Sequence, residues 1–113
     1  MKQEVRIGKA ELSAFVREVF VAAGVAPAHA EEWARMLVWA NLRGVDSHGV
    51  IRIPRYLDLL RRGAINGNPD MRVERKSGAV TVLEADRAPG PVAMTRAMQE
   101  AIARAREVHI GWC

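Results

Sequence analysis

Three glycines, Gly24, Gly44 and Gly63, each close a stretch in which apolar residues recur at helical spacing, and this punctuation constrains the chain more than any other feature. Glycine takes the left-handed backbone of a helix end with no steric cost, so a periodic run that stops at a glycine reads as a complete helix. The first run spans about Lys9 to Ala23, with Leu12, Phe15, Val16, Val19, Phe20 and Ala23 on one apolar stripe. The second opens at Pro27, which suits a first helical turn, and Glu31 and Glu32 favour its positive end. Ala30, Ala34, Leu37 and Val38 form its inner face, with Trp33 and Trp39 adding packing. The third is seamed by Val50, Ile53, Leu57 and Leu60, and Asp46 or Ser47 can cap it. Pro54 lacks an amide hydrogen, so this helix is kinked or restarts there.

Beyond Gly63 the pattern changes. Ala64 to Pro69 reads as a loop, and Met71 to Lys76 and Ala79 to Glu84 as strands joined by a Ser77-Gly78 turn. Asp86 to Gly90 is a second loop, and Pro91 opens a last helix with Met94, Met98, Ala101, Ile102 and Ala105 as its inner face. The tail Ile110-Gly111-Trp112-Cys113 looks like a strand just starting. Such a strand lacks partners and exposes its edge, so the chain is expected to be part of something longer. The fold class this implies is α+β: a mainly α region, residues 1–68, then a short β segment opening a second unit, residues 69–113.

Composition excludes several classes. Half of the residues are hydrophobic, enough for a packed core. A net charge of +4 is too small for a polybasic tail or anchor. The N-terminus, MKQEVRIGKAELS, carries charges throughout and no signal-peptide core, and no apolar run reaches the roughly 20 residues of a membrane span. Cys113 is the single cysteine, which excludes an intrachain disulfide and fits a cytoplasmic protein.

The stretch richest in chemistry is Asn41 to Tyr56, NLRGVDSHGVIRIPRY. On a continuous helix, His48, Arg52 and Tyr56 fall at i, i+4 and i+8 and make one polar stripe away from the Val50, Ile53, Leu57 seam. A guanidinium fork grips a carboxylate with two parallel hydrogen bonds. An imidazole titrates near neutrality and can pass a proton to a carbonyl oxygen. Ser47 can bond the same oxygen or orient the ring, Tyr56 can close the site, and Gly49 leaves room for a ligand. Together they suit a 2-keto acid whose hydride comes from elsewhere, since no side chain supplies one.

Plainer uses of the same residues compete with this. A Ser-His pair at a helix start commonly only caps it, and an arginine one turn from a tyrosine is commonly a solvated pair. Arg43, Arg52, Arg55, Arg61 and Arg62 cluster near the third helix as in a nucleic-acid-binding module, though Asp46 and Asp58 dilute the charge. A dimerisation piece without chemistry is a further alternative. Gly90 before Pro91 reads as a plain turn, because no spaced glycine fingerprint for phosphate occurs. His29, His48 and His109 stand far apart with no companions at ligand spacing, so no metal site is expected.

The run GVDSHGVIRIPRY, followed by LDLLRRGAINGNP, resembles the malate/L-lactate dehydrogenase family that lacks a Rossmann fold and includes ureidoglycolate, sulfolactate, diketogulonate and piperideine-2-carboxylate enzymes. LSAFVREVFVAAGV, AEEWARMLVWANLRGVDSHG and DRAPGPVAMTRAMQEAIARAREVHIGW match in kind and order. The resemblance implies an oxidoreductase moving a hydride between NAD or NADP and a small 2-hydroxy, 2-keto or imino acid. It implies catalytic roles for Ser47 and His48, and substrate binding by Arg52 and Tyr56. It also implies a homodimer binding neither nucleic acid nor membrane. The chain would be the N-terminal portion of a larger non-Rossmann α/β fold. The relay aspartate and most cofactor-binding residues would then lie beyond Cys113, so the 113 residues alone are expected to be inactive.

Overall fold

The computed structural model describes residues 4–113, and the first three residues of the charged N-terminal stretch lie outside them. Helices α1 (Lys9–Ala22) and α2 (Pro27–Leu42) lead into two short 3₁₀ turns, Asp46–His48 and Val50–Arg52, and then α3 (Ile53–Arg61). An antiparallel hairpin, β1 (Arg72–Ser77) and β2 (Val80–Glu84), and a long helix, α4 (Gly90–Val108), complete the described chain. The α+β expectation holds.

The core lies where α1 crosses α2. Gly24 (φ 91°) reverses the chain between them, and Pro27 occupies the first turn of α2. Val16 and Phe20 of α1 are buried with Val25, Ala30, Trp33, Ala34 and Leu37. Phe20 and Trp33 stack with centroids 4.1 Å apart and planes 7° from parallel. Burying one large apolar side chain stabilises by about 1.5–3 kcal/mol, so this group dominates the stability of the helical layer. Two sequence expectations need correction. Phe15 is 62% exposed, because it sits at the rim of the α1 stripe and α2 covers only the centre. Trp39 is half exposed, its ring lying under the Arg43 guanidinium at 5.3 Å instead of inside.

The third helix is shorter than its periodicity predicts. Gly49 is extended (φ −93°, ψ −151°) and separates the two 3₁₀ turns, so regular α-helix begins only at Ile53 with Pro54 in its first turn. The restart alternative at Pro54 is the one observed. Neither Asp46 nor Ser47 caps anything with its side chain. Both are engaged elsewhere, as described below.

The hairpin turns at Gly78-Ala79, one residue later than expected, since Ser77 pairs with Val80. The tail is not left without a partner. Trp112 bridges Val80 in parallel, donating to the Ala79 carbonyl (2.8 Å) and accepting from the Thr81 amide (2.7 Å). Gly111 makes this docking possible, because any Cβ there would overlap the Ala101 carbonyl of α4.

The expected inner face of α4 is only partly covered, with Ala101 and Ala105 half-buried. Met94 (67%), Met98 (57%) and Ile102 (45%) are exposed. The covered side carries Val92, Thr95, Glu100 and Arg104: Glu100 pairs with Lys76, Arg104 donates to the Gly78 carbonyl, and Thr95 donates to Glu32 of α2 (2.8 Å). Polar groups thus help to dock this helix beside the buried Val92, while Met94, Met98 and Ile102 stay exposed. The link between β2 and α4 is a tight turn at Asp86 (φ 50°) and Arg87 (φ 56°), closed by the Ala88 amide on the Ala85 carbonyl. Asp86 accepts from the Asn66 side chain (2.8 Å) and the Asp70 amide (2.9 Å), and Arg87 donates to the Gly63 carbonyl. These bonds tie the hairpin to the end of the helical layer and hold two non-glycine residues in the left-handed region.

Glu32 is the titrating element of the α2–α4 contact. Burial raises its pKa, but hydrogen bonds from Arg35 and Thr95 and the Arg35 charge outweigh that and leave it below the ordinary carboxylate value. A carboxylate depressed on folding stabilises fully above its unfolded pKa, about 4.3, and the stabilisation disappears as pH falls through the lower folded value. The stability advantage of the wild type over Glu32→Gln should therefore be constant near neutrality and shrink through the acid range. Urea midpoints measured at a series of pH values check this. A difference independent of pH would remove Glu32 from the contact.

Candidate functional site

The loop between α2 and α3 gathers three of the four site residues expected from sequence. Gly44 (φ 72°) ends α2, and the first 3₁₀ turn closes through the His48 amide on the Val45 carbonyl (3.0 Å) and the Gly49 amide on the Asp46 carbonyl (3.0 Å). In that turn, the Ser47 hydroxyl and His48 Nδ1 lie 2.9 Å apart, the hydroxyl donating when Nδ1 is the unprotonated nitrogen. Arg52 reaches back from the second turn and donates from Nε to the Ser47 carbonyl (2.7 Å). Its two terminal nitrogens have no hydrogen-bond or ion-pair partner among the described residues. Ser47 and His48 are exposed and Arg52 is half-buried. Serine hydroxyl, imidazole and guanidinium thus form one connected group at the surface.

Tyr56 departs from that group. Its ring packs on Trp33 with centroids 5.0 Å apart and planes at 51°, at the margin of the core. The polar stripe His48-Arg52-Tyr56 required an unbroken helix, and the extended backbone at Gly49 removes it. The principal concavities are lined by other residues, one of them by Val80, Leu83, Ala93, Met94 and Trp112 between β2, α4 and the tail, and another by Ser13, Arg35, Trp39 and Leu42 between α1 and α2. Gly49 also differs from expectation: it is buried, and the space where a Cβ would stand is filled by the Asn41 carboxamide, not left for a ligand.

Asn41 is the residue the sequence reading missed. From the last turn of α2 its Nδ2 donates to Asp46 Oδ1 (2.7 Å), and its Oδ1 accepts from the Val50 amide (2.9 Å). One side chain therefore pins both ends of the segment carrying Ser47 and His48. Asp46 makes this bond and no side-chain cap. The only trace in sequence is the chemistry of a carboxamide, which donates and accepts at once, placed just before the glycine that ends a helix. Among the described residues no three histidine, cysteine, aspartate or glutamate side chains are placed to hold a metal ion. No helix among them is long and apolar enough to cross a membrane.

Comparison with known proteins agrees along the described chain. A family model for malate/L-lactate dehydrogenase matches residues 7–113. The chain is 39% identical over 107 residues to a malate dehydrogenase of Pyrococcus abyssi, covering 95% of this chain and 30% of that protein. It is 32% identical over 103 residues to the NAD(+) ureidoglycolate dehydrogenase of Escherichia coli, covering 91% of this chain and 30% of that one. The solved structure of malate dehydrogenase from Pyrococcus horikoshii OT3 superposes with a TM-score of 0.90 at 37% identity, covering 95% of this chain and 31% of that chain. The chain thus spans about 30% of the length of the curated relatives it matches.

Proposed function

The chain belongs to the malate/L-lactate dehydrogenase family, and from that premise we propose that it supplies the substrate-side groups of an oxidoreductase interconverting 2-hydroxy acids with 2-keto or imino acids. The observation that carries the proposal is the linked Ser47, His48 and Arg52 group on one surface loop. Arg52 holds its Nε on the Ser47 carbonyl and leaves its two terminal nitrogens without a partner among the described residues, which suits a bidentate grip on the substrate carboxylate. With Nδ1 accepting from Ser47, His48 carries its proton on Nε2, the nitrogen free to reach the reacting oxygen. Tyr56 is the substrate-lining residue furthest from this group, and its anchorage on Trp33 fixes where its phenol edge can stand.

NAD or NADP supplies the hydride in this scheme. The chain has no spaced glycine run for its phosphates, so no residue here is assigned to hold it. Residues 1–68 form the helical substrate region in the proposal and residues 69–113 the start of a cofactor unit. The exposed Met94, Met98 and Ile102 favour a homodimer, and the lone exposed Cys113 favours a cytoplasmic setting.

The test is a hydride-transfer assay on a hybrid in which residues 7–113 replace the matching stretch of the Pyrococcus horikoshii enzyme. Oxidation of NADH or NADPH is followed by absorbance against a panel of 2-keto and cyclic imino acids. Turnover with at least one is expected. Arg52→Lys should raise KM by about tenfold or more while kcat moves less, because a point charge does not reproduce the planar fork. A folded hybrid silent with every substrate, or a KM indifferent to Arg52→Lys, would sink the assignment.

A further inference from the structure

We propose that Asn41 is a positioning residue that holds Ser47 and His48 in register by pinning both ends of their loop with one carboxamide. The catalytic meaning of this rests on the oxidoreductase reading above; the mechanical claim does not. Apart from the Arg52 bond to the Ser47 carbonyl, the loop would otherwise be weakly held. Ser47 and His48 are exposed, the turn carrying them has only three residues and no side-chain cap, and Gly49 interrupts the helix immediately after. Short 3₁₀ turns have weak internal hydrogen bonds and do not persist without outside support.

That support comes from α2. Asn41 Nδ2 holds Asp46 on the N-terminal side of the pair, and Asn41 Oδ1 holds the Val50 amide on the other. Gly49 lies pressed on the same carboxamide, with the Asn41 Nδ2 2.6 Å from where a Cβ would stand. Glycine at 49 follows from contact with Asn41, since its φ of −93° is open to any residue. Ala40 adds a backbone tie, its carbonyl accepting from the Val45 amide (2.9 Å). Position 41 needs a donor and an acceptor on one short stem. Aspartate offers two acceptors and sets a second charge against Asp46, and glutamine is a methylene too long for the space.

The deciding experiment is NMR on the 113-residue chain. In Asn41→Ala, amide exchange at Val50 should quicken by about tenfold, the scale of one lost hydrogen bond. The His48 ring ¹⁵N signals should move toward those of a free imidazole as its bond to Ser47 loosens. Trp33 and Phe20 resonances, remote in the core, should stay in place. Asn41→Asp separates the two bonds, keeping Val50 protected while the His48 signals still shift. Gly49→Ala, which displaces the carboxamide from outside, should reproduce the Asn41→Ala pattern and stands in should that variant fail to fold. His48 signals unmoved in all three variants overturn the proposal. In the active hybrid, Asn41→Ala should lower kcat by about tenfold with KM within about threefold. NMR responses as expected in a hybrid whose kcat ignores His48→Ala would leave the loop mechanics standing and defeat the oxidoreductase reading instead.

Discussion

Trp33→Ala is expected to destabilise the protein by about 3–5 kcal/mol, the cost of emptying a large aromatic site that collapses only in part. A domain of this size has about 5–15 kcal/mol in total, so the variant sits at or near the edge of folding. Trp33 is fully buried, stacked on Phe20 from α1 and in contact with Tyr56 of α3. One side chain therefore joins three helices, and its loss releases α3 from the α1–α2 pair as well as opening a cavity. Trp33→Phe separates packing from polarity. The indole Nε1 is buried without a hydrogen-bond partner, a state that costs about 1–3 kcal/mol. Phenylalanine removes that cost while leaving a smaller void, so its net loss should be about 1–2 kcal/mol, well below that of alanine. Denaturant midpoints of the two variants decide the matter. Equal losses would mean that an aromatic ring at position 33 contributes nothing to the packing with Phe20.

What could be read from the residues, and what could not, divides along a physical line. Helix ends announce themselves locally, so Gly24, Gly44, Pro27 and the hairpin near Gly78 were legible to within a residue. The identity of an apolar stripe was legible too, but its covering was not. Met94, Met98 and Ile102 do share a face of α4, yet that face is open, because periodicity says which residues align and nothing of what lies opposite. The helix is docked through Glu100, Arg104 and Thr95, which look like solvated positions in any hydropathy pattern. At the candidate site the Ser47–His48 contact was legible as chemistry, while the Arg52 bond to the Ser47 carbonyl was not. The route to it was misjudged, because the break at Gly49 depends on a carboxamide on another helix. Tyr56 is separated from the expected polar stripe for the same reason: once α3 starts at Ile53, its ring packs on Trp33.

His48→Ala in the active hybrid should lower kcat by about 10²–10⁴, the usual contribution of a positioned acid–base group, with KM little altered. The split follows from the division of labour in the loop. Substrate binding is assigned to the terminal nitrogens of Arg52, whose placement depends on the Ser47 backbone carbonyl and not on the imidazole. Proton delivery is assigned to Nε2 of His48, which carries the proton in the tautomer whose Nδ1 accepts from the Ser47 hydroxyl. As the carbonyl carbon is reduced, negative charge develops on the oxygen, and a group poised to protonate it lowers the barrier without changing how tightly the acid sits beforehand. Added imidazole should restore part of the lost turnover, since it brings back a proton donor of the same kind. It should do nothing for Arg52→Lys, where the deficit is in binding. A near-normal kcat in His48→Ala would transfer the acid role to another residue and leave the Ser47–His48 contact as a purely structural clasp. A loss of KM and kcat together, without rescue, would show that the imidazole shapes the loop more than it handles the proton.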